Sequence, residues 1–295
     1  MPQTTVSFVI RKLLSISHGY YFSYKPLRNT NYDANGGARR STNYELRRPI
    51  DENNKNPVPH RTSSRAPFAA MNTLYIRAIR STILGAIVMA ALIFLPTGTL
   101  NYWQGWVFFA LFFVASNAIG LYLAIYNPVL LERRMSVGPT AEKETSQKII
   151  TLFALLGFIA LLVFPALDHR FGWSPVPPYI SVAGDILVLL GFLLTFVVIL
   201  ENSYAASTIQ VTEGQKVVST GLYSYVRHPM YAGVLPMLVG MPLALGSWWG
   251  LFGLVLIVPA LIWRLIDEEK FLCKNLPGYT EYANKVKYRL IPFVY

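Results

Sequence analysis

Six stretches of the chain are apolar for long enough to be read as membrane helices, and polar or charged residues gather between them. They lie near Ser81–Leu95, Trp106–Tyr126, Ile149–Leu167, Ile180–Leu200, Met230–Gly246 and Gly250–Ile266. Several approach the roughly 20 residues needed to cross a hydrocarbon core. The first crosses only if it runs back to Tyr75, with Arg77 and Arg80 snorkelling to the headgroups. The fifth is short and carries Pro236 and Pro242, so a kinked or shallow segment is expected there. From Gly250 the helical pattern runs without a breaker to Leu276, about 40 Å at 1.5 Å per residue. That exceeds a core of roughly 30 Å, so the end of this helix projects beyond the membrane. Pro277-Gly278 breaks the chain. A short tail helix is expected from Tyr279 to Tyr288, with Tyr282, Lys285 and Arg289 on one face and Tyr279 one turn before. The expected fold class is all-α: a polytopic integral membrane protein of about six hydrophobic helices. The last two form a hairpin turning at Ser247-Trp248-Trp249, and a tail helix follows.

Composition agrees. Of 295 residues, 53% are hydrophobic and only 14% charged, with a mean hydropathy of +0.39. A soluble domain carries roughly 25% charged residues, so that class is excluded. With six crossings and both termini on one side, fourteen of the fifteen Lys/Arg after residue 70 fall on that side, and only Arg170 opposite. The asymmetry makes the shared side cytoplasmic, facing the cytosol from a bacterial inner membrane or the endoplasmic reticulum. Trp103, Trp106, Trp173, Trp248 and Trp249 all fall at the other interface, where indoles gather.

Residues 1–70 are polar and basic, with eleven Lys/Arg against four Asp/Glu, and read as a disordered N-terminal extension. A brief apolar patch near Val6–Ile16 is interrupted by Arg11 and Lys12, unlike a signal peptide. Met71 opens the membrane domain, 71–295, which makes it a candidate start with the preceding residues dispensable. Cys273 is the only cysteine, and His18, His60, His169 and His228 are scattered, so no metal site is expected. No glycine-rich phosphate loop occurs, and nothing points to a nucleic-acid partner.

Two constellations carry chemistry. The first is Gly221-Leu-Tyr-Ser-Tyr-Val-Arg-His-Pro-Met-Tyr-Ala-Gly233. Pro229 suits the first turn of a helix, where its missing N–H would have had no partner. Its ring pushes His228 towards an extended conformation. The free N–H groups that follow, beside Arg227 and His228, form a receptor for a carboxylate or phosphate. The second is the end of the last long helix, with Arg264, Asp267, Glu268 and Glu269, and then Tyr279, Tyr282 and Arg289. Arg264 and Glu268 are i,i+4 neighbours on one face.

Taken in order, Gly-x-Tyr-x-x-x-Arg-His-Pro-x-Tyr-x-Gly, the helical hairpin, Glu268-Glu269, Pro-Gly-Tyr-x-x-Tyr and Arg289-x-x-Pro292 resemble the isoprenylcysteine carboxyl methyltransferase family. That family is part of a wider group that includes phospholipid N-methyltransferases. The resemblance is strongest over Val211–Tyr295, the expected cofactor-binding part. It implies S-adenosylmethionine held between the Arg-His-Pro segment and the tail, and a lipid or isoprenoid-bearing acceptor reaching it sideways from the bilayer.

On that basis the cofactor carboxylate suits the N–H groups after Pro229 together with Arg227 and His228. Glu268 or Glu269 takes the ammonium or a ribose hydroxyl. Tyr225, Tyr231, Tyr279 and Tyr282 face the adenine or the sulfonium. Arg289, with Arg264 as second choice, holds an acceptor carboxylate. Such a carboxylate needs no general base, whereas an amine acceptor would need one, and His228 is the only nearby histidine. The expected activity is carboxyl O-methylation of an isoprenylcysteine-type substrate, with phospholipid amine N-methylation as the alternative. An NADPH-dependent membrane reductase fits less well, since the tail offers acids where a phosphate-rich cofactor prefers cations. A channel or scaffold fits poorly too, since Asp185 is almost the only ionisable residue within the spans.

Overall fold

The computed structural model describes residues 65–142 and 144–294. Expectations for residues 1–64 lie outside these. The segment Ala69–Tyr295 forms one compact unit.

Among the described residues the regular structure is all helical, apart from a lone bridge between Pro175 and Ser247. The helices are α1 (Arg65–Thr97), α2 (Trp103–Tyr126), α3 (Pro128–Met135), α4 (Thr145–Phe171), α5 (Pro178–Glu201), α6 (Pro229–Ala244), α7 (Leu254–Asn275) and α8 (Tyr279–Lys285). Helix α1 begins before residue 71, where the membrane domain was expected to open. Among the described residues five segments are long and apolar enough to cross a membrane: Asn72–Thr97, Trp103–Tyr126, Thr145–Phe171, Pro178–Glu201 and Trp249–Asn275. The chain is a polytopic membrane protein. Helix α6, at 16 residues, is shorter than a full crossing and contains Pro236 and Pro242, as its sequence implied.

Proline opens α3, α5 and α6 at the position where its absent N–H is harmless. Asn127 caps α3, its Oδ1 accepting from Leu130 N at 3.1 Å. Gly172, at φ 66°, ends α4 in the left-handed region and donates its N–H to Asp168 O.

The tightest pairing is α5 on α6, and glycines make it possible. A Cβ at Gly240 would meet Gly184 O at 2.6 Å, and one at Gly191 would meet Gly233 O at 2.7 Å. Both helices space these glycines by seven residues, so their backbones approach along one shared stripe. Helix α7 packs mainly on α4, where a Cβ at Gly157 would strike Ile257 Cβ at 2.8 Å. The expected hairpin of the last two hydrophobic helices is therefore connected in sequence, but its two backbones do not pack closely on each other. Each helix follows its own small-residue partner, so the backbones of α6 and α7 stand apart while Leu238, Met241 and Ile257 lie in one shared core.

At one end of the bundle that separation is closed. Asp168 accepts from Ser174 N at 2.7 Å and from the hydroxyls of Ser174 and Ser247. Ser174 Oγ in turn accepts from Trp248 N and Trp249 N at 3.1 and 3.2 Å. Tyr102 OH donates to Leu245 O. The opposite end, where α5 and α7 finish and α6 starts, stays open.

Two expectations need correction. A 3-10 turn, Trp249–Gly253, precedes α7, and α7 then runs through Pro259. The tail helix stops at Lys285, where Val286 turns extended at φ −97° and ψ 100°. Arg289 thus sits on no helix face. The segment straightens because its carbonyls have partners elsewhere: Arg227 N donates to Tyr288 O and His228 N to Arg289 O, both at 2.9 Å.

Candidate active site

A cavity of about 340 Å³ opens at that end, between the 202–218 loop, the start of α6, the end of α7 and α8. Its size lies within the range of small-molecule sites. Helix α7 contributes Leu261, Arg264, Glu268 and Leu272, a single face at helical spacing. Helix α6 contributes Met230, Tyr231 and Val234. The cavity therefore combines apolar lining from Met230, Val234, Leu261 and Leu272 with charged lining from Arg264 and Glu268 and polar groups of the loop.

The Arg-His-Pro segment is held from both sides. Gly221 starts a 3-10 turn at φ 60°, and a Cβ there would collide with the Glu201 carboxylate. Glu201 Oε2 accepts from Leu222 N at 2.9 Å. From the other side the extended tail pairs with Arg227 and His228, as above. His228 adopts φ −124° and ψ 64°, out of the α region as its proline dictates. Its ring lies 5.7 Å from that of Tyr231.

Glu269 is the knot. It is buried, with His228 Nε2 at 3.3 Å and Arg227 Nε at 3.1 Å from Oε1, and Arg289 Nε at 2.8 Å from Oε2. The Arg227 contact is an ion pair without hydrogen-bond geometry. Three elements, α7, the start of α6 and the tail, are joined through one carboxylate.

Glu268, its neighbour, faces the cavity instead. Its Oε2 accepts from Tyr231 OH at 2.6 Å. Tyr279 and Tyr282 are buried in a small apolar cluster with Leu276, packed by Val217, Tyr223 and Leu272. Burial pushes both phenols above their ordinary range. Tyr282 OH donates to Tyr223 O at 2.8 Å. Among the described residues Tyr279 OH is buried without a hydrogen-bond partner.

Of the residues expected to hold the cofactor, Arg227, His228, Pro229, Tyr231, Glu268, Tyr279 and Tyr282 line this cavity. Tyr225 and Glu269 do not, and neither does Arg289, which was expected to hold the acceptor carboxylate. Tyr225 is 57% exposed, and the other two are turned onto each other. Arg264 does line the cavity, yet its guanidinium is already engaged. It donates to Glu142 Oε1 at 2.8 Å, Ser207 O at 2.8 Å, Thr151 Oγ1 at 3.0 Å and Gln147 Oε1 at 3.3 Å. It pins the loop before α4 and the 202–218 loop to α7.

Several lining residues had not been anticipated. Asn202 Nδ2 donates to Tyr223 OH at 2.7 Å, and burial raises the Tyr223 phenol to about 12. Tyr223 stands in the quoted Gly-x-Tyr pattern, so a signal existed. Arg134, on α3, also lines the cavity, but its sequence context is an ordinary basic helix end. Glu142 and Gln147 support the wall through Arg264, with no sequence signal.

The phospholipid methyltransferase family model matches residues 179–277. That span covers α5, the loop, α6 and α7, and stops before α8. The chain is also 33% identical over 91 residues to the delta(14)-sterol reductase TM7SF2 of Mus musculus. That match takes in 30% of this chain and 22% of the relative, so the chain spans about a fifth of the length of that curated relative. Residues 179–277, which build most of the cavity wall, are thus similar to the phospholipid methyltransferase family.

Proposed function

We propose that the protein is an S-adenosylmethionine-dependent methyltransferase acting on a membrane-embedded, lipid-like acceptor. The observation that carries this reading is a cavity with both apolar and charged lining, Met230, Val234 and Leu261 beside Glu268 and Arg264, built largely from the family-matched segment. The residues suit the cofactor. Glu268 offers a carboxylate for an ammonium or a ribose hydroxyl, and the N–H groups at the start of α6 suit a carboxylate. Tyr279 and Tyr282 offer aromatic surface, and the Tyr279 hydroxyl is a buried polar atom that a ligand can satisfy.

The cofactor supplies an electrophilic methyl group on a sulfonium. The protein's share is alignment and exclusion of water. Arg264 and the Glu269 knot hold the walls, while Met230, Val234 and Leu261 give an apolar acceptor a surface continuous with the helices. Carboxyl O-methylation of an isoprenylcysteine-type acceptor remains the first reading, and amine N-methylation the second. For the latter, His228 is engaged with Glu269 at 3.3 Å, which points its Nε2 away from a role as a free base. Multi-pass insertion with this cavity facing the cytosol follows from the Lys/Arg asymmetry.

Similarity to a sterol reductase favours one reading of another class, a nicotinamide-dependent reductase. Against it, Arg227 and Arg264 are each paired with a glutamate, so neither of these two arginines is left over for a phosphate-rich cofactor. Equilibrium binding of S-adenosylhomocysteine and of NADPH to the purified full chain separates the two. Binding of S-adenosylhomocysteine alone supports methyl transfer, and binding of NADPH alone overturns it.

A further inference from the structure

Cations in the cavity wall differ in how they are compensated. Arg227 has Glu269 and Arg264 has Glu142. Lys216 lies at the exposed rim, where water solvates it. Arg134 differs from all three. Its Nη1 donates to Ala205 O at 3.0 Å and lies 3.6 Å from Met230 Sδ, and among the described residues it has no ion pair. Burial pulls its guanidinium below the ordinary range, the mark of a charge that the protein alone does not fully compensate.

Its position adds to the argument. Helix α3 lies on an apolar cluster of Leu74, Leu123, Leu130, Leu131 and Ile199, against which Met230 also packs. Arg134 therefore stands where the apolar lining of the cavity meets its polar lining. A charged headgroup whose chain runs along Met230, Val234 and Leu261 would bring its negative end to this guanidinium. Arg134 O also accepts from Ser207 Oγ at 2.9 Å, so α3 and the loop are fixed relative to each other.

We propose that Arg134 is the anion-binding residue of the cavity and takes the carboxylate or phosphate of the lipid acceptor. The assignment rests on the reading of the cavity as a lipid-acceptor site, and it moves the acceptor's cation from Arg289 and Arg264 to α3. A planar, forked guanidinium suits either oxyanion.

The test uses the full chain in neutral detergent and three single-chain probes: oleate for carboxylate, lysophosphatidic acid for phosphate and monoolein as the uncharged control. The wild type binds both anions more tightly than monoolein. Arg134→Gln weakens the anions about ten- to a hundredfold, the range for a lost charge-assisted hydrogen bond. Monoolein and S-adenosylhomocysteine binding stay unchanged, and Arg134→Lys keeps part of the preference for anions. A larger loss with one anion than with the other identifies the headgroup class. Persistence of the preference in Arg134→Gln would overturn the assignment, as would an equal loss of all three probes, which marks a wall residue. Loss of S-adenosylhomocysteine binding with lipid binding intact would also overturn it and make Arg134 a cofactor residue. If Arg134→Gln fails to fold, Arg134→Lys answers the question through its ratio of anion to monoolein affinity. Failure of the wild type to bind S-adenosylhomocysteine, with the charge preference intact, would remove the methyl-transfer reading and support the anion site.

Discussion

Arg289 Nε lies 2.8 Å from Glu269 Oε2, and this contact fastens the tail across the start of α6. It changes the meaning of both residues. Arg289 had the sequence profile of an acceptor-binding cation, and Glu269 that of a cofactor ligand. Facing each other, they join the tail to α7, while Glu268, His228, Tyr231, Tyr279 and Tyr282 line the cavity.

Glu269→Ala leaves Arg227, His228 and Arg289 without their shared carboxylate. Removing one partner of a buried pair costs about 3–5 kcal/mol, so a marked fall in the melting temperature of the purified protein is expected. S-adenosylhomocysteine affinity falls with it. Glu268→Ala lowers that affinity about ten- to a hundredfold with little change in melting temperature. Equal melting temperatures for the two variants would show that Glu269 ties nothing together.

Arg289→Lys is expected to weaken cofactor affinity and turnover together, because the tail loosens as a unit. Arg289 is partly exposed, with 35% of its side chain open to solvent, so the effect is smaller than for Glu269. Reduced turnover with unchanged affinity for S-adenosylhomocysteine would return Arg289 to the acceptor.

How much of this could be read from the sequence differs by element. Helix positions were legible because apolar runs bounded by Pro and Gly leave the backbone few alternatives in lipid. The Arg-His-Pro segment, Glu268, Tyr279 and Tyr282 were legible as a motif, and all line the cavity. The division of labour between Glu268 and Glu269 was not, because neighbours on a helix point about 100° apart, and only the packing of α7 decides which one faces inward. Arg289 was placed on a helix face that does not exist, since backbone pairing with Arg227 and His228 competes with the helix beyond Lys285. Arg134 and Glu142 reach the site from segments distant in sequence, and nothing local announces them.

Small-residue packing between α5 and α6 gives a separate prediction. Gly240→Leu and Gly191→Leu push the two backbones apart and should destabilise the protein strongly. Gly85→Leu and Gly120→Leu should be tolerated, since no described residue lies within 4 Å of a Cβ at either position. Thermal unfolding in detergent checks this, and similar melting temperatures for all four variants would contradict the close approach.

Alkaline pH should reveal the buried phenol of Tyr223. Its folded pKa of about 12 stands above the ordinary 10, so its contribution is complete below pH 10 and is lost as pH rises towards 12. Stability falls over that window, and Tyr223→Phe flattens part of the fall. An unchanged alkaline profile in the variant would mean that Tyr223 does not titrate there.

The central claim is methyl transfer to a lipid-like acceptor in this cavity. Its most direct test gives membranes containing the full chain S-adenosylmethionine labelled on the methyl group, then extracts and separates the lipids. Label is expected in an apolar acceptor with the wild type and is expected to vanish with Glu268→Ala, a cavity-facing substitution that leaves the fold in place. Wild-type membranes that transfer no label to any lipid-soluble product, while the same protein reduces an apolar substrate with NADPH, would contradict the account.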